Sequence, residues 1–399
     1  MAAQGLNLPI DVQPVIDWLD AGASGAGTPE AVIAGLNQRL LAAGVALARV
    51  AVFVRTLHPN VAGRAFFWRA ERPAHVDVDV AEHEWMQSRD HLASPIHAIT
   101  STGREIRRRL ADADCPMDFP VLADLRGEGM TDYLAAPLPS MTGEKLLASF
   151  TTRRPGGFTD AELAGLRRLL APVGRVAEIL AWRRKAQNIL DAYLGEQAGE
   201  KVLAGRIRRG DGEDLHAVLW FCDLRDSTPL ADSMSREAFL QLLNEFFDRM
   251  LGPVLSRRGE VLRFIGDAAL AIFPVGADAA DACRRALDAA REAMERMAEL
   301  NAARATPLGF GIGLHLGDVL YGNVGTPSRI EFTVIGAAAN EAARIEALCK
   351  TLDVPLLLSA QVARHVPGCR SLGVHRLRGV GEPVELFTLS GIGVQSDKP

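Results

Sequence analysis

No stretch of this 399-residue chain is apolar for long. The longest unbroken runs, such as Ala217 to Cys222, fall well short of the ~18 residues that a membrane helix needs, so no bilayer span is expected. Basic charge is not in excess either. The 44 lysines and arginines stand against 49 aspartates and glutamates, a formal net charge of −5, which argues against nucleic-acid or anionic-membrane binding as the main role. No basic segment leads into an apolar stretch near the start, where Asp11 and Pro14 come early. No secretory signal is therefore expected, and the cytoplasm is the expected location. Cysteine is scarce and scattered: Cys115, Cys222, Cys283, Cys349 and Cys369 form no CxxC pair and no zinc-finger spacing with histidine. They are expected to be free, mostly buried thiols.

What is present is a globular composition. Hydrophobic residues make up 48% and charged residues 23% of the chain, and at one domain per ~150 residues the length suits two or three domains. The first, over residues 1–158, reads as a small α+β domain. A helix over Glu30 to Ala43 precedes two strands with alternation at Ala48–Arg55 and Ala65–Arg69, with two more at Tyr133–Pro137 and Lys145–Thr151 parted by the turn-rich Ser140 to Glu144. Residues 159–213 read as a helical linker. Leu166, Leu169, Val173, Val176 and Leu180 follow a 3-4-3-4 spacing, which suits either a helix packed on its own domain or a parallel dimer stalk, and the stalk is the expectation retained. The polar stretch Gly195 to Asp214 then reads as a connector.

The third region, residues 214–399, has the order β-α-β-β-α-β of a ferredoxin-like unit. An apolar strand, His216–Cys222, ends on Asp223, and Gly266-Asp267 breaks Val261–Phe273 into a hairpin. The end of the first strand and the tip of that hairpin can lie side by side, which would pair two carboxylates. Such a pair raises one pKa unless a divalent cation sits between them, and Mg²⁺ is typically held by one or two carboxylates plus substrate oxygens. The alternative is that Asp223 caps the following loop and Asp267 fills the turn.

Three blocks, Ala217–Thr228 (AVLWFCDLRDST), Arg263–Ala271 (RFIGDAALA) and Thr333–Arg344 (TVIGAAANEAAR), together resemble the signature segments of the class III adenylyl/guanylyl cyclase catalytic domain. The resemblance implies that Asp223 and Asp267 hold two Mg²⁺ or Mn²⁺ ions, and that Asn340 and Arg344 orient the ribose and stabilise the transition state. It places the purine-reading pair on Arg263 and Thr333, and a late phosphate contact on Arg378. Asp226 and Thr228 fall in a loop that would cradle phosphate, with side-chain capping as an equal alternative. Adenine-specific members carry lysine where this chain has Arg263, and guanine-specific ones carry glutamate. An arginine donates and cannot accept from guanine, so ATP is the expected substrate.

In the family the aspartates come from one protomer and the asparagine and arginine from the other, so a homodimer is implied. A guanylate cyclase and a degenerate, nucleotide-binding regulatory domain are the alternatives. A cyclic-dinucleotide synthase would need a GG[DE]EF-type turn, which IGDAA is not. The first domain resembles a GAF-type sensor through Gly156–Glu178, which implies an unknown signal acting on the cyclase. His75, His83, His91 and His97, spaced 8-8-6, fit no regular ligand set and read as solvated or locally bonded.

Overall fold

The computed structural model describes residues 10–56 and 61–391. The chain divides into two compact units, one ending at Ile189 and one starting at Leu190.

In the first unit α1 (Gln13–Asp20) and α2 (Pro29–Ala42) precede β1 (Arg49–Arg55), β2 (Gly63–Arg69) and β3 (Val76–Ala81). Then follow α3 (Arg89–Leu92), α4 (Pro95–Thr102), β4 (Ile106–Arg108), α5 (Pro120–Gly127), β5 (Asp132–Leu138), β6 (Leu146–Thr152) and the long α6 (Asp160–Leu194), whose residues from Leu190 on belong to the second unit. The strands form one antiparallel sheet in the order β3-β2-β1-β6-β5-β4. Helix α2 starts where expected because Thr28 accepts from the Ala31 N–H and Pro29 opens the first turn, satisfying or removing donors that a helix start leaves orphaned. The four expected strands are present. β3 and β4 were not expected: both are edge strands, β3 alternating Val with Asp and β4 only three residues long.

The expected dimer seam is corrected in part. Leu166, Leu169 and Val173 are buried in the core that α1, α2 and one sheet face build, so this half of α6 packs on its own unit. Further along, Ile179, Trp182, Ile189 and Tyr193 are exposed. With the half-buried Ala186 they form a second 3-4-3-4 stripe on a different face of the helix. Glu178 fastens the helix between the two stripes, accepting from the Met141 and Thr142 N–H groups and from the Ser140 hydroxyl at 2.8–3.0 Å. The Thr142 hydroxyl donates to it as well, and this bond first, with the Met141 N–H and Ser140 hydroxyl bonds next, holds its carboxyl down at about 2.

In the second unit α7 (Glu196–Leu203) precedes β7 (Gly212–Leu224), α8 (Ser227–Asp232), α9 (Arg236–Ser256), β8 (Glu260–Ile265), β9 (Ala268–Pro274) and α10 (Ala279–Ala302). After these come β10 (Phe310–Thr326), β11 (Arg329–Ile335), α11 (Ala337–Thr351), β12 (Leu356–Ser359), α12 (Ala360–Ala363), β13 (Cys369–His375) and β14 (Val384–Leu389). The sheet runs β13-β14-β12-β10-β7-β9-β8, with β11 paired to β10. Its β10-β7-β9-β8 centre, with α9 and α10 on one face, is the expected ferredoxin-like βαββαβ core. Val218, Trp220 and Cys222 of β7 meet that helical layer, while Leu219, Tyr321 and Val334 meet Ala338 and Ala342 of α11 on the other face. The expected connector is not simply a linker. Ala198 of α7 is buried in that second cluster, and the Ala198 N–H and the Tyr321 hydroxyl both point to the buried Glu260 Oε1, at 3.3 and 2.7 Å.

Helix α11 lies tightly on β10 because Gly311 and Gly313 leave room for it. A Cβ at Gly313 would stand 2.6 Å from the Ala342 carbonyl oxygen and 2.7 Å from the Glu346 nitrogen, both backbone atoms. Gly313→Ala is expected to cost about 1–3 kcal/mol through overpacking, seen as a lower thermal midpoint. An unchanged midpoint would show that α11 shifts freely.

Candidate active site

The β7–β9 register sets Asp223 opposite Ala268, so the hairpin tip one residue earlier comes beside the end of β7. Gly266 takes φ +67° there, a left-handed conformation that suits glycine in a two-residue hairpin turn. The Leu224 N–H donates to the Asp267 carbonyl at 3.3 Å, locking the tip to the strand end. Asp223 is half-buried, and its Oδ1 is covered without a hydrogen-bond partner among the described residues. Burial, and next the neighbouring Asp267 charge, push its carboxyl up to about 6.

A third carboxylate stands beneath this pair. Glu346 of α11 is 6% exposed, and burial, followed by the Asp223 charge, pushes it up to about 7, with Arg225 opposing. The Arg225 guanidinium donates to the Val354 carbonyl at 2.7 Å, and its Nε is buried without a partner among the described residues. Sequence patterning missed Glu346, although a signal existed. It lies on the apolar stripe of α11 with Ala338, Ala342, Ile345 and Cys349, where a carboxylate is out of place.

Asp223 and Asp267 fit a hard divalent cation. Two acidic oxygen donors adjoin, one oxygen has no protein partner, and repulsion between them is what a cation would remove. Among the described residues no group of three or more His, Cys, Asp or Glu side chains is arranged to hold a metal ion. The thiol next along β7 takes no part: burial pushes Cys222 up to about 12.

Asn340 and Arg344 sit on the other side of α11. At about 100° per residue, Asn340 and Arg344 lie about 120° and 160° around the helix from Glu346, and about 40° from each other. Asn340 is exposed and Arg344 half-buried. Both terminal nitrogens of Arg344 lie 3.5 Å from where a Cβ of Gly379 would be, so the loop carrying the exposed Arg378 runs against the Arg344 guanidinium. One chain thus presents its aspartates and its asparagine–arginine pair on different sides of one helix.

The other expected residues are placed as follows. Arg263 on β8 is exposed and ion-paired through Nε to Glu331 Oε1 at 3.1 Å. Thr333, two residues after Glu331, is 3% exposed, its hydroxyl without a partner among the described residues. The expected base-reading pair is therefore one accessible guanidinium and one covered hydroxyl. Asp226 takes φ +56° and gives its carboxylate to Lys350 at 2.8 Å, which holds it below the usual range, while Thr228 lies exposed in the first turn of α8.

Residues 214–375 match the family described as adenylate and guanylate cyclase catalytic domain. Two uncharacterized proteins of Mycobacterium tuberculosis (strain ATCC 25618 / H37Rv) are 34% identical over 235 residues and 37% identical over 225 residues, alignments covering 57% and 54% of this chain. Each takes in 40% of the relative, so this chain spans less than half the length of those curated relatives. Among solved structures, a bacterial light-regulated adenylyl cyclase is 26% identical over 45% of this chain and 92% of that one, with a TM-score of 0.41. The guanylyl cyclase Cya2 is 25% identical over 47% of this chain and 97% of that one, with a TM-score of 0.39. No helix among the described residues is long and apolar enough to cross a membrane.

Proposed function

Residues 214–375 are a class III nucleotide cyclase catalytic domain, and on that premise we propose that the protein converts ATP to 3′,5′-cyclic AMP and pyrophosphate at a site completed by two copies of the chain. The pairing of Asp223 with Asp267 at a strand end and hairpin tip is the observation that carries this. Two Mg²⁺ or Mn²⁺ ions held there would supply Lewis-acid charge to the ribose 3′-hydroxyl and the triphosphate.

The 3′-oxygen forms its bond to the α-phosphorus as the bond to the pyrophosphate oxygen breaks, and the 3′ proton leaves to solvent. Asn340 orients the ribose. Arg344, a planar cation, meets the charge that develops on the α-phosphate. Arg378 meets the terminal phosphates. In the Asp226–Thr228 loop backbone N–H groups and the Thr228 hydroxyl meet phosphate, while the Asp226 carboxylate pairs with Lys350. Arg263 and Thr333 read the adenine, which requires the Thr333 hydroxyl to become uncovered.

The homodimer is supported by the division of the site across α11 and by the exposed stripe Ile179, Trp182, Ile189 and Tyr193, whose heptad spacing suits a second copy of the same helix. The first unit is read as the GAF-like regulatory unit, supported by its six-stranded antiparallel sheet.

One observation favours the guanylate reading. Glu331, absent from the aligned base-reading positions, sets a carboxylate beside Arg263, and a carboxylate can accept from the guanine ring edge. Product formation by the full chain with ATP or GTP, each with Mg²⁺ and with Mn²⁺, decides. We expect kcat/KM for ATP to exceed that for GTP by at least about tenfold, within the range that base hydrogen bonding gives, and Glu331→Ala to leave that preference in place. A GTP preference that Glu331→Ala abolishes would establish the guanylate cyclase, and no product under any condition would leave a binding domain.

A further inference from the structure

The sheet of the first unit has two unlike faces. Alternation along β1 sends Val50, Val52 and Val54 toward the core shared with α1, α2 and α6, and Arg49, Ala51 and Phe53 to the opposite side. On that side lies a cavity of about 740 Å³, within the span usual for small-molecule sites. Its walls include Phe53, Phe67, Trp85 and Tyr133.

Arg49 is the odd residue there. It is half-buried, with its guanidinium 5.0 Å from the Phe67 ring centroid, and no carboxylate among the described residues pairs with it. The neighbouring Arg69 already faces Asp77 at 3.4 Å. Burial and the Arg69 charge hold the Arg49 pKa below its usual value, with Tyr133 and Glu128 opposing. Beside it the buried Tyr133 and Ser149 line the same cavity. So does His91, which is 4% exposed and has an Nδ1 without a partner among the described residues. The acidic lining residues Asp79, Glu82 and Glu84 are all exposed and belong to the rim.

A cation drawn into a low-dielectric wall without a partner is costly, and an anion delivered by a ligand removes that cost. Arg55, Arg64 and Lys145 line the cavity as well, Arg55 and Lys145 exposed, so its basic lining calls for a negative charge, and the planar fork of Arg49 beside the aromatic wall suits a carboxylate. We propose that this cavity binds a small planar aromatic carboxylate, held by Arg49 and Tyr133 at its acid end and by Phe53, Phe67 and Trp85 at its ring. The site goes beyond the cyclase reading and depends on it in no step, since binding is measured without turnover.

Isothermal calorimetry on the full chain tests it with indole-3-acetate, the neutral indole-3-ethanol and the aliphatic anion octanoate. Indole-3-acetate is expected to bind at least about tenfold more tightly than either control, because indole-3-ethanol lacks the charge-assisted contact and octanoate the aromatic contacts. Arg49→Gln is expected to weaken it at least about 30-fold, as truncating one side of a buried charge pair does. Arg49→Lys, which keeps the charge but not the fork, should weaken it less and serves where the glutamine variant does not fold. Equal binding of either control, unchanged affinity in a folded Arg49 variant, or no heat from indole-3-acetate at millimolar concentration would each overturn the proposal.

Discussion

Arg344→Ala is expected to lower kcat by about 10²–10³-fold, the usual loss when one preorganised donor to developing charge is removed, with KM little changed. Alanine is the best helix former, so α11 should persist. Because Arg344 lies about 160° around α11 from Glu346, truncating it leaves the carboxylate pocket of its own chain untouched. The loss should therefore fall on kcat and not on nucleotide affinity, the pattern of a contact made mainly in the transition state. Arg344→Lys keeps the charge but loses the planar fork and should recover only part of the rate. Steady-state kinetics of the three forms, with their thermal midpoints as folding controls, provide the check. A kcat for Arg344→Ala within about threefold of the parent, far below the range for such a donor, would remove Arg344 from the site.

The parts of this molecule legible from sequence share one property: their position is fixed by local period. Asp223 and Asp267 were legible because a strand end and a two-residue turn are both local, and the antiparallel register does the rest. Glu346 was not legible as part of the site. Its proximity to Asp223 depends on α11 settling onto the glycines of β10, a long-range approach that no window of sequence displays. The face of α6 left for a dimer seam was not legible for a different reason. Helix α6 carries two 3-4-3-4 patterns, one through Leu166, Leu169 and Val173 and one through Ile179, Trp182 and Ile189, and only the sheet decides which is covered. The connector misled because its polarity outweighed one small residue, Ala198, that buries against the second unit. The ion pair of Arg263 to Glu331 was not legible, because it arises from a contact between β8 and the β10–β11 arm.

Mixing two inactive chains should restore activity. Asp223→Asn removes the charge of a proposed cation ligand and Arg344→Ala a proposed transition-state donor, so each variant on its own is expected to retain only residual turnover. If the aspartates of one chain work with the Asn340 and Arg344 of its partner, a mixed dimer has one site with both lesions and one with none. At equal amounts half of the dimers are mixed and one of their two sites is intact, so about a quarter of the parent activity should return, as follows from two-fold symmetry. If one chain supplied the whole site, every site in every mixture would carry a lesion and no activity would return. The exposed stripe on α6 gives an independent handle on the same association. Trp182→Glu together with Ile189→Glu sets charges where an apolar seam would close, on residues that are already 46% and 39% exposed, so the fold of the single chain should tolerate them. In both members of the mixed pair these substitutions should abolish the recovery and shift the protein to a monomer by light scattering. Recovery that survives the double substitution would show that the catalytic units associate without α6.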